Sequence, residues 1–181
     1  GEYIAIESNK IIEFTDGFLE FLPMPTEIHL RIHEYILAAI RMVLARRAKG
    51  VLNFAPFKMK VDATRYREPD VLVLLDENDP RRGGRFWTSA DFVVEIVCPD
   101  NPERDYWKKR VDYADARVTE YWIVDPQMLR VTQLHLVEKD YAVVGVWTPG
   151  DIITSKTLPE LSVDVKLWFD EMKKAFTRDP A

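Results

Sequence analysis

The amino-acid sequence predicts an α/β fold in which a mixed β-sheet is flanked by helices. Short runs rich in β-branched and aromatic residues recur along the chain, and they outnumber the segments with helical periodicity. The long helical segments precede and follow a pair of apolar runs, as expected when helices cover a sheet. The 181 residues, of which 47% are hydrophobic, suffice for one core. We therefore expect residues 1–181 to form a single domain.

Strand patterns open the chain. Tyr3 to Glu7 has the composition of a short strand, and two further runs, Ile11 to Phe14 and Phe18 to Leu22, flank Asp16-Gly17. A turn pair of this type between two apolar runs is a strong hairpin signal. The fold is therefore expected to begin with β-structure.

A long helix is predicted next. Thr26 can cap it and Lys49-Gly50 can stop it. His29 and His33 are four residues apart on this helix and could bind a metal ion together, but no third ligand is evident. A partly exposed histidine pair with other partners is the commoner outcome. The apolar positions keep the spacing of one helix face: Ile28, Ile32, Tyr35, Ile36, Ala39, Ile40, Val43 and Leu44.

The middle of the sequence is rich in strand patterns. Val51 to Phe54 and Phe57 to Val61 lead into the apolar runs Val71 to Leu75 and Phe92 to Val97. The segment between the last two runs contains proline and glycine, so the chain can turn back there. We expect these two runs to form an antiparallel pair.

The second half of the chain begins with a helix. Asn101 is a plausible cap for this helix, which is predicted to run to about Ala116. Asp125-Pro126 then closes a strand as a turn pair. The remaining predicted elements are that strand, a hairpin and a terminal helix: Glu120 to Val124, Leu129 to Val137, Tyr141 to Trp147 and about Val165 to Phe176.

Asp70 and Glu95 place one carboxylate on each of the two central runs. One register of the pair puts Asp70 opposite Ile96, and a slip of one residue brings the two acids face to face. Cross-strand neighbours have Cβ atoms about 4.5–5.5 Å apart, and two ionised carboxylates at that distance repel unless a cation lies between them. We expect Asp70 and Glu95 to bind Mg²⁺ or Mn²⁺. Two other roles stay open: a salt bridge to Arg or Lys for Glu95, and an ordinary strand-start position for Asp70.

Lys109 lies on the helix that follows Glu95. Asp105, Lys109 and Tyr113 are four residues apart and share one helix face. From that face Lys109 could stabilise a negatively charged transition state or orient the attacking water. The alternative is a simple salt bridge between Lys109 and Asp105, and spacing alone does not choose.

Composition narrows the class of protein. Cys98 is the only cysteine, which excludes an internal disulfide and fits a structural role, since no histidine near it in sequence would activate it. No apolar run approaches the roughly 20 residues of a membrane span, and no basic-then-apolar leader is present, so we expect a cytoplasmic protein. The net charge of −5 argues weakly against non-specific nucleic-acid binding. Basic residues nevertheless cluster in three places: Arg41, Arg46, Arg47 and Lys49; Arg81, Arg82 and Arg85; and Lys108, Lys109 and Arg110.

Several of these segments together resemble one family. The bacterial Uma-two family, described as putative restriction endonucleases, belongs to the PD-(D/E)XK nuclease superfamily. The resemblance covers most of the chain, and its most specific part is the Glu-Tyr-Trp block. It rests on Pro69-Asp70-Val71, Val93-Val94-Glu95-Ile96-Val97, Asp105 with Lys109 and Tyr113, and Glu120-Tyr121-Trp122-Ile123-Val124-Asp125-Pro126.

The resemblance implies a restriction-endonuclease-like core in which Asp70 and Glu95 bind Mg²⁺. The superfamily's usual strand lysine is absent because Val97 occupies its place, and a helical lysine that maps onto Lys109 substitutes. The implied function is Mg²⁺-dependent endonucleolytic hydrolysis of DNA, and a homodimer is expected by analogy with nucleases that cut both strands. The alternative is a catalytically inactive nuclease-fold module that serves in binding or assembly. Two residues depart from the family pattern: Cys98 in place of Ser, and Arg117 in place of Gly.

Overall fold

A six-stranded mixed sheet forms the centre of the protein. The structure, a computed structural model, describes residues 11–176, so the predicted strand from Tyr3 to Glu7 lies outside the described residues. Within the sheet all neighbouring strands are antiparallel except Phe92–Ile96 and Glu120–Asp125, which are parallel. In spatial order the strands are β11 (Asp140–Trp147), β10 (Arg130–Val137), β9 (Glu120–Asp125), β8 (Phe92–Ile96), β6 (Val71–Leu74) and β3 (Val51–Phe54).

Shorter strands form two further sheets. The predicted hairpin at Asp16-Gly17 is confirmed, and it extends into a five-stranded sheet. Four strands were not predicted, because each has only two or three residues, too few for an apolar periodicity: Arg65–Arg67, Phe86–Trp87, Ile152–Thr154 and Ser162–Asp164. The five-stranded sheet contains β2 (Phe18–Phe21), β1 (Ile12–Thr15), β5 (Arg65–Arg67), β4 (Lys58–Lys60) and β7 (Phe86–Trp87), and β12 (Ile152–Thr154) pairs with β13 (Ser162–Asp164).

The helices are α1 (Glu27–Arg47), α2 (Lys109–Asp115) and α3 (Val165–Phe176). The Thr26 hydroxyl accepts the His29 N–H at 3.2 Å, which confirms the predicted cap of α1. The predicted helix from Asn101 to Ala116 differs from expectation, because a π-helical turn, Arg104–Lys108, precedes α2.

The helices cover both faces of the large sheet. Helices α1 and α3 pack on one face around Trp122 and Trp168, while α2 packs on the other around Tyr113 and Tyr121. The predicted fold class, a mixed sheet flanked by helices, is therefore confirmed. None of the helices in residues 11–176 combines the length and apolar composition that a membrane crossing requires.

Candidate active site

Asp70 and Glu95 come together at one end of the central strand pair. Strands β6 and β8 are antiparallel with Val71 opposite Val94, and this register continued by one residue places Asp70 opposite Glu95. Of the two registers that the sequence allowed, the structure has the one that brings the acids face to face. Both side chains are buried, with exposed fractions of 8% for Asp70 and 2% for Glu95.

Asp70 is held by both of its carboxylate oxygens. Oδ2 accepts the Ile96 backbone N–H at 2.7 Å, and Oδ1 lies 3.2 Å from His29 Nε2. Burial alone would raise the pKa of Asp70, but His29, the Lys109 ammonium and the Ile96 N–H together outweigh it and lower the pKa to about 2. Asp70 is therefore a carboxylate at neutral pH.

The two histidines of α1 bind Asp70 and do not converge on a common metal position. His33 Nε2 lies 2.8 Å from the Asp70 backbone oxygen, while His29 Nε2 contacts the side chain. This confirms the expectation of a partly exposed pair with other partners, since both rings are half-buried. The sequence signal that pointed to them was their spacing, which could not identify Asp70 as the shared partner.

Glu95 is paired with Lys109. The Lys109 Nζ lies 2.8 Å from Glu95 Oε2, and the Tyr113 hydroxyl donates to Glu95 Oε1. Burial and the carboxylates of Asp70 and Asp105 raise the pKa of Glu95 to about 8, despite the Lys109 ammonium, which lowers it. The lysine partner that the sequence left open as an alternative for Glu95 is thus present, and the contact becomes a full ion pair where Glu95 has lost its proton.

The π-helical turn sets the position of Lys109. Its backbone N–H donates to the Arg104 carbonyl, five residues earlier, and the Tyr121 hydroxyl donates to the Asp105 carbonyl at 2.8 Å. The predicted common face of Asp105, Lys109 and Tyr113 is confirmed, since all three side chains are buried around Glu95. The predicted Lys109–Asp105 pair is also present at 3.2 Å.

Glu13 is a buried member of the site that the sequence reasoning missed. It is fully buried, and its Oε1 lies 3.6 Å from Lys109 Nζ while Oε2 lies 3.4 Å from Arg67 Nη1. A signal was present, because the hairpin register pairs Glu13 with Glu20. Two glutamates opposite each other are destabilising unless cations lie beside them.

A cavity of about 500 Å³ leads from the surface to this cluster. Its floor contains Asp70, Glu95 and Lys109, and Cys98 lies in its wall. The basic cluster around Arg81 lies elsewhere: Arg81 binds Asp91, which precedes β8, whereas Glu95 is near the end of that strand. The cavity wall is largely apolar, with Met24, Ile28, Val97, Pro99 and Leu129 among its residues.

The donor set suits a hard divalent cation. Two buried carboxylates face each other, and the Asp105 Oδ2 atom beside them is buried without a hydrogen-bond partner among residues 11–176. Across the same residues, no three His, Cys, Asp or Glu side chains are grouped to hold a metal ion. Mg²⁺ is commonly bound through one or two carboxylates, with water and substrate phosphate completing its shell. Asp70 and Glu95 therefore offer the kind of ligands that Mg²⁺ or Mn²⁺ takes.

The mixed sheet, the opposed acids on adjacent strands and the buried lysine define a nuclease fold of the restriction-endonuclease type. The chain belongs to the Uma2 family, whose model, described as "Putative restriction endonuclease", matches residues 1–166. A crystal structure of a putative nuclease belonging to DUF820, from Anabaena variabilis ATCC 29413, superposes with a TM-score of 0.79. That match covers 94% of this chain and 97% of the other at 18% identity, which establishes the shared fold. No curated protein matches the sequence.

Proposed function

We propose that this protein is a divalent-metal-dependent endonuclease that hydrolyses phosphodiester bonds of DNA. The observation that carries the proposal is the meeting of Asp70, Glu95 and Lys109 at the floor of one cavity. Membership of the Uma2 family supports nuclease chemistry in general. In the reaction, water attacks phosphorus, the bond to the leaving oxygen breaks, and the products are a phosphomonoester and an alcohol.

Asp70 and Glu95 would hold Mg²⁺ or Mn²⁺. When bound, the cation would neutralise charge on the scissile phosphate and lower the pKa of the attacking water. Asp70 is ready to bind a cation at neutral pH, while Glu95 must first lose its proton or release Lys109. His29 keeps the Asp70 carboxylate oriented from the side of α1.

Lys109 acts as a fixed positive charge and not as a general base. Burial would lower the pKa of Lys109, but the carboxylates of Glu95, Asp105 and Glu13 outweigh this effect and raise it. A lysine that stays protonated can donate hydrogen bonds to a phosphate oxygen or to the attacking water. Both roles that the sequence suggested for Lys109, stabilising a negatively charged transition state and orienting the attacking water, are compatible with this geometry.

The Lys109–Glu95 ion pair also favours a second candidate, a non-catalytic module. A buried acid that already has a lysine partner at 2.8 Å does not require a metal ion. In that case the fold would serve in binding or assembly. Metal binding separates the two candidates.

The first prediction concerns metal binding. Mn²⁺ at about 100 times its dissociation constant should stabilise the wild-type protein by about 2.7 kcal/mol, seen as a rise in melting temperature. Asp70→Asn and Glu95→Gln should each abolish the rise, because each removes one anionic ligand. Asp91→Asn, which changes a carboxylate outside the cavity lining, is the matched control.

Plasmid cleavage in Mn²⁺ is the functional readout. Wild-type protein and Asp91→Asn should cut, and the two site variants should not. A Mn²⁺ response that survives in both site variants would refute the metal site, and metal binding without cleavage would favour the non-catalytic module.

The homodimer is part of the same proposal, because cleavage of both strands needs two sites, and light scattering tests it.

A further inference from the structure

Arg104 is a buried cation at the junction of two surface depressions. Its exposed fraction is only 6%, and it lines both the main cavity and a second groove. The groove runs between the β1–β2 hairpin and the helical segment that carries Lys109. Its wall includes Phe18, Glu20, Lys108 and Val111.

Carboxylates near Arg104 outweigh the effect of its burial and raise its pKa, but its guanidinium makes no hydrogen bond within residues 11–176. A guanidinium carries five N–H donors, and the structure gives it one ion pair, from Nη1 to Glu20 Oε1 at 3.6 Å, too long for a hydrogen bond. The Nε atom is buried and has no hydrogen-bond partner among the described residues. Buried donors without acceptors are unfavourable, so this guanidinium is suited to a ligand that supplies them.

Two neighbouring arginines, unlike Arg104, have hydrogen-bond acceptors within the protein. Arg67, also in the groove wall, binds Asp112 and Thr15, and Arg110 on α2 binds Asp140 and the Tyr141 carbonyl. The donors of Arg67 and Arg110 are therefore occupied within the protein. Arg104 lacks such hydrogen bonds within residues 11–176, although it lies between the cavity and the groove.

The missing acceptor has the chemistry of a phosphate. Phosphate oxygens match the planar fork of a guanidinium in a bidentate manner. Arg104 and Lys109 are joined by the backbone hydrogen bond of the π-helical turn, so both cations are presented from one turn. A ligand held by Lys109 at the cavity floor would thus have its next phosphate near Arg104.

The groove also offers an aromatic surface. Phe18 lines it with an exposed fraction of 76%, and Val111 adds a further apolar contact at 57%. Unstacked nucleobases pack on exposed aromatic side chains of this kind without strong sequence preference. Paired bases inside a duplex do not present their faces in this way.

We propose that Arg104 binds a backbone phosphate next to the scissile one, and that the DNA strand leaves the cavity as a single strand through the groove, with a base on Phe18. This inference rests on the proposed function, since it assumes a nucleic-acid substrate in the cavity. It adds the path of the strand and the preference for unpaired DNA near the cut.

The test is equilibrium binding of a fluorescently labelled oligothymidine, followed by anisotropy at several salt concentrations. Ca²⁺ replaces Mn²⁺, and a gel after each titration verifies that the oligonucleotide is intact. Arg104→Met should weaken binding about tenfold and reduce the salt slope by about 0.7, the value for one phosphate contact on a single strand. Arg104→Lys should retain the slope and recover part of the affinity.

Two further variants sharpen the result. Phe18→Ala should weaken binding about tenfold with no change in salt slope, as expected for a lost stacking contact. Arg110→Met is the matched control and should bind as the wild type does, because its guanidinium is occupied by Asp140. Circular dichroism verifies that each variant is folded.

Several outcomes would overturn the inference. They are unchanged affinity and slope in Arg104→Met, an equal loss in Arg110→Met, no binding of the oligonucleotide by the wild type, or equally tight binding of the corresponding duplex. Binding that depends on Arg104 without cleavage in Mn²⁺ would refute the proposed function and leave only the Arg104 phosphate contact and the strand path standing. Cleavage with binding that is independent of Arg104 would refute this inference alone.

Discussion

Lys109 has its ammonium group enclosed by the carboxylates of Glu95, Asp105 and Glu13 at 2.8, 3.2 and 3.6 Å. A long flexible side chain would lose this position if it were exposed, but Lys109 is 3% exposed and has little freedom. Preorganised charge of this kind stabilises a transition state without reorganisation during the reaction. Its neighbour Lys108 is exposed and lines the second groove.

At the scale of the residue we predict that Lys109→Met lowers cleavage by about 10²–10³-fold, since it removes one preorganised charge. The Mn²⁺-dependent rise in melting temperature should persist, because Asp70 and Glu95 remain. Lys108→Met should change cleavage much less. Single-turnover cleavage of a plasmid measures both variants, and equal small effects would reduce Lys109 to a structural ion-pair partner.

The π-helical turn is the element on which the site depends. Tyr121 fixes this turn from the neighbouring strand β9 through its hydrogen bond to the Asp105 carbonyl. Tyr141 makes a similar bond to the Val118 carbonyl at 2.7 Å, but it lies beyond the end of α2. The two tyrosines therefore make the same kind of buried hydrogen bond. Only the bond of Tyr121 reaches the π-helical turn that carries Lys109.

We predict that Tyr121→Phe lowers cleavage at least tenfold through misplacement of Lys109, whereas Tyr141→Phe leaves it nearly unchanged. Each variant loses one buried hydrogen bond and should be destabilised by about 1 kcal/mol. Urea unfolding measures the shared loss, and kcat with KM separates positioning from binding. Equal activity in the two variants would show that Tyr121 is only a core residue.

The end of α2 explains one departure from the family pattern. Arg117 has φ of 62°, in the left-handed region, and the Val118 N–H donates to the Tyr113 carbonyl at 2.9 Å. This is the helix-ending geometry that glycine favours, because glycine has no Cβ to clash. The glycine that the resemblance places at this position would thus meet a backbone requirement and not a chemical one.

We predict that Arg117→Gly stabilises the protein by about 0.5–1 kcal/mol, since it relieves the left-handed strain of a side chain. The Arg117 side chain donates to the Glu138 carbonyl, so Arg117→Ala, which loses the same bond and keeps the strain, is the control. Chemical denaturation compares the three proteins. A Gly variant no more stable than the Ala variant would contradict the argument.

At the scale of the whole molecule, the Glu-Tyr-Trp block on which the resemblance most depends has a structural role. The Glu120 carboxylate is fully buried and accepts hydrogen bonds from Trp122, Gln133 and Ser155. It also accepts the backbone N–H groups of the segment after β12, at Lys156 and Thr157. The Glu-Tyr-Trp block therefore fixes the C-terminal segment to the sheet, while its tyrosine fixes the π-helical turn.

The stability of the metal-free protein should depend on pH through Glu95. Its pKa in the folded state is about 8, above the ordinary value of 4.5, so the folded protein retains a proton that the unfolded chain has released. The contribution of Glu95 to the free energy of unfolding is thus complete below about pH 4.5 and is lost as the pH rises through about 8. Metal binding at the proposed site should have the opposite trend, since it would require the Glu95 carboxylate.

We therefore predict that, in EDTA, wild-type protein loses stability to urea between about pH 6 and about pH 9, and that Glu95→Gln loses less. Mn²⁺ should bind the wild type more tightly at the higher pH. The difference between the two proteins isolates Glu95 from the other titrating groups. An identical pH dependence in both would place the responsible proton elsewhere.

Local patterns were sufficient for much of the fold. The helix capped by Thr26, the hairpin at Asp16-Gly17 and the long strands all follow from spacing and turn residues near in sequence. The common face of Asp105, Lys109 and Tyr113 was also predictable, because a helix places residues four apart on one side. The short strands were not, since a run such as Arg65–Arg67 has no apolar period.

The sequence by itself determined the fold class, the two acids on adjacent strands and the lysine on the following helix, because these depend on periodicity and chain order. Only the tertiary structure decided the strand register, the binding of His29 to Asp70 and the burial of Glu13 beside Lys109. Two of these contacts, Asp70 with His29 and Glu13 with Lys109, join residues more than 40 positions apart in the sequence. Such contacts form when packing of whole elements removes competing water, and no local pattern of residue types encodes which distant partner fills the space.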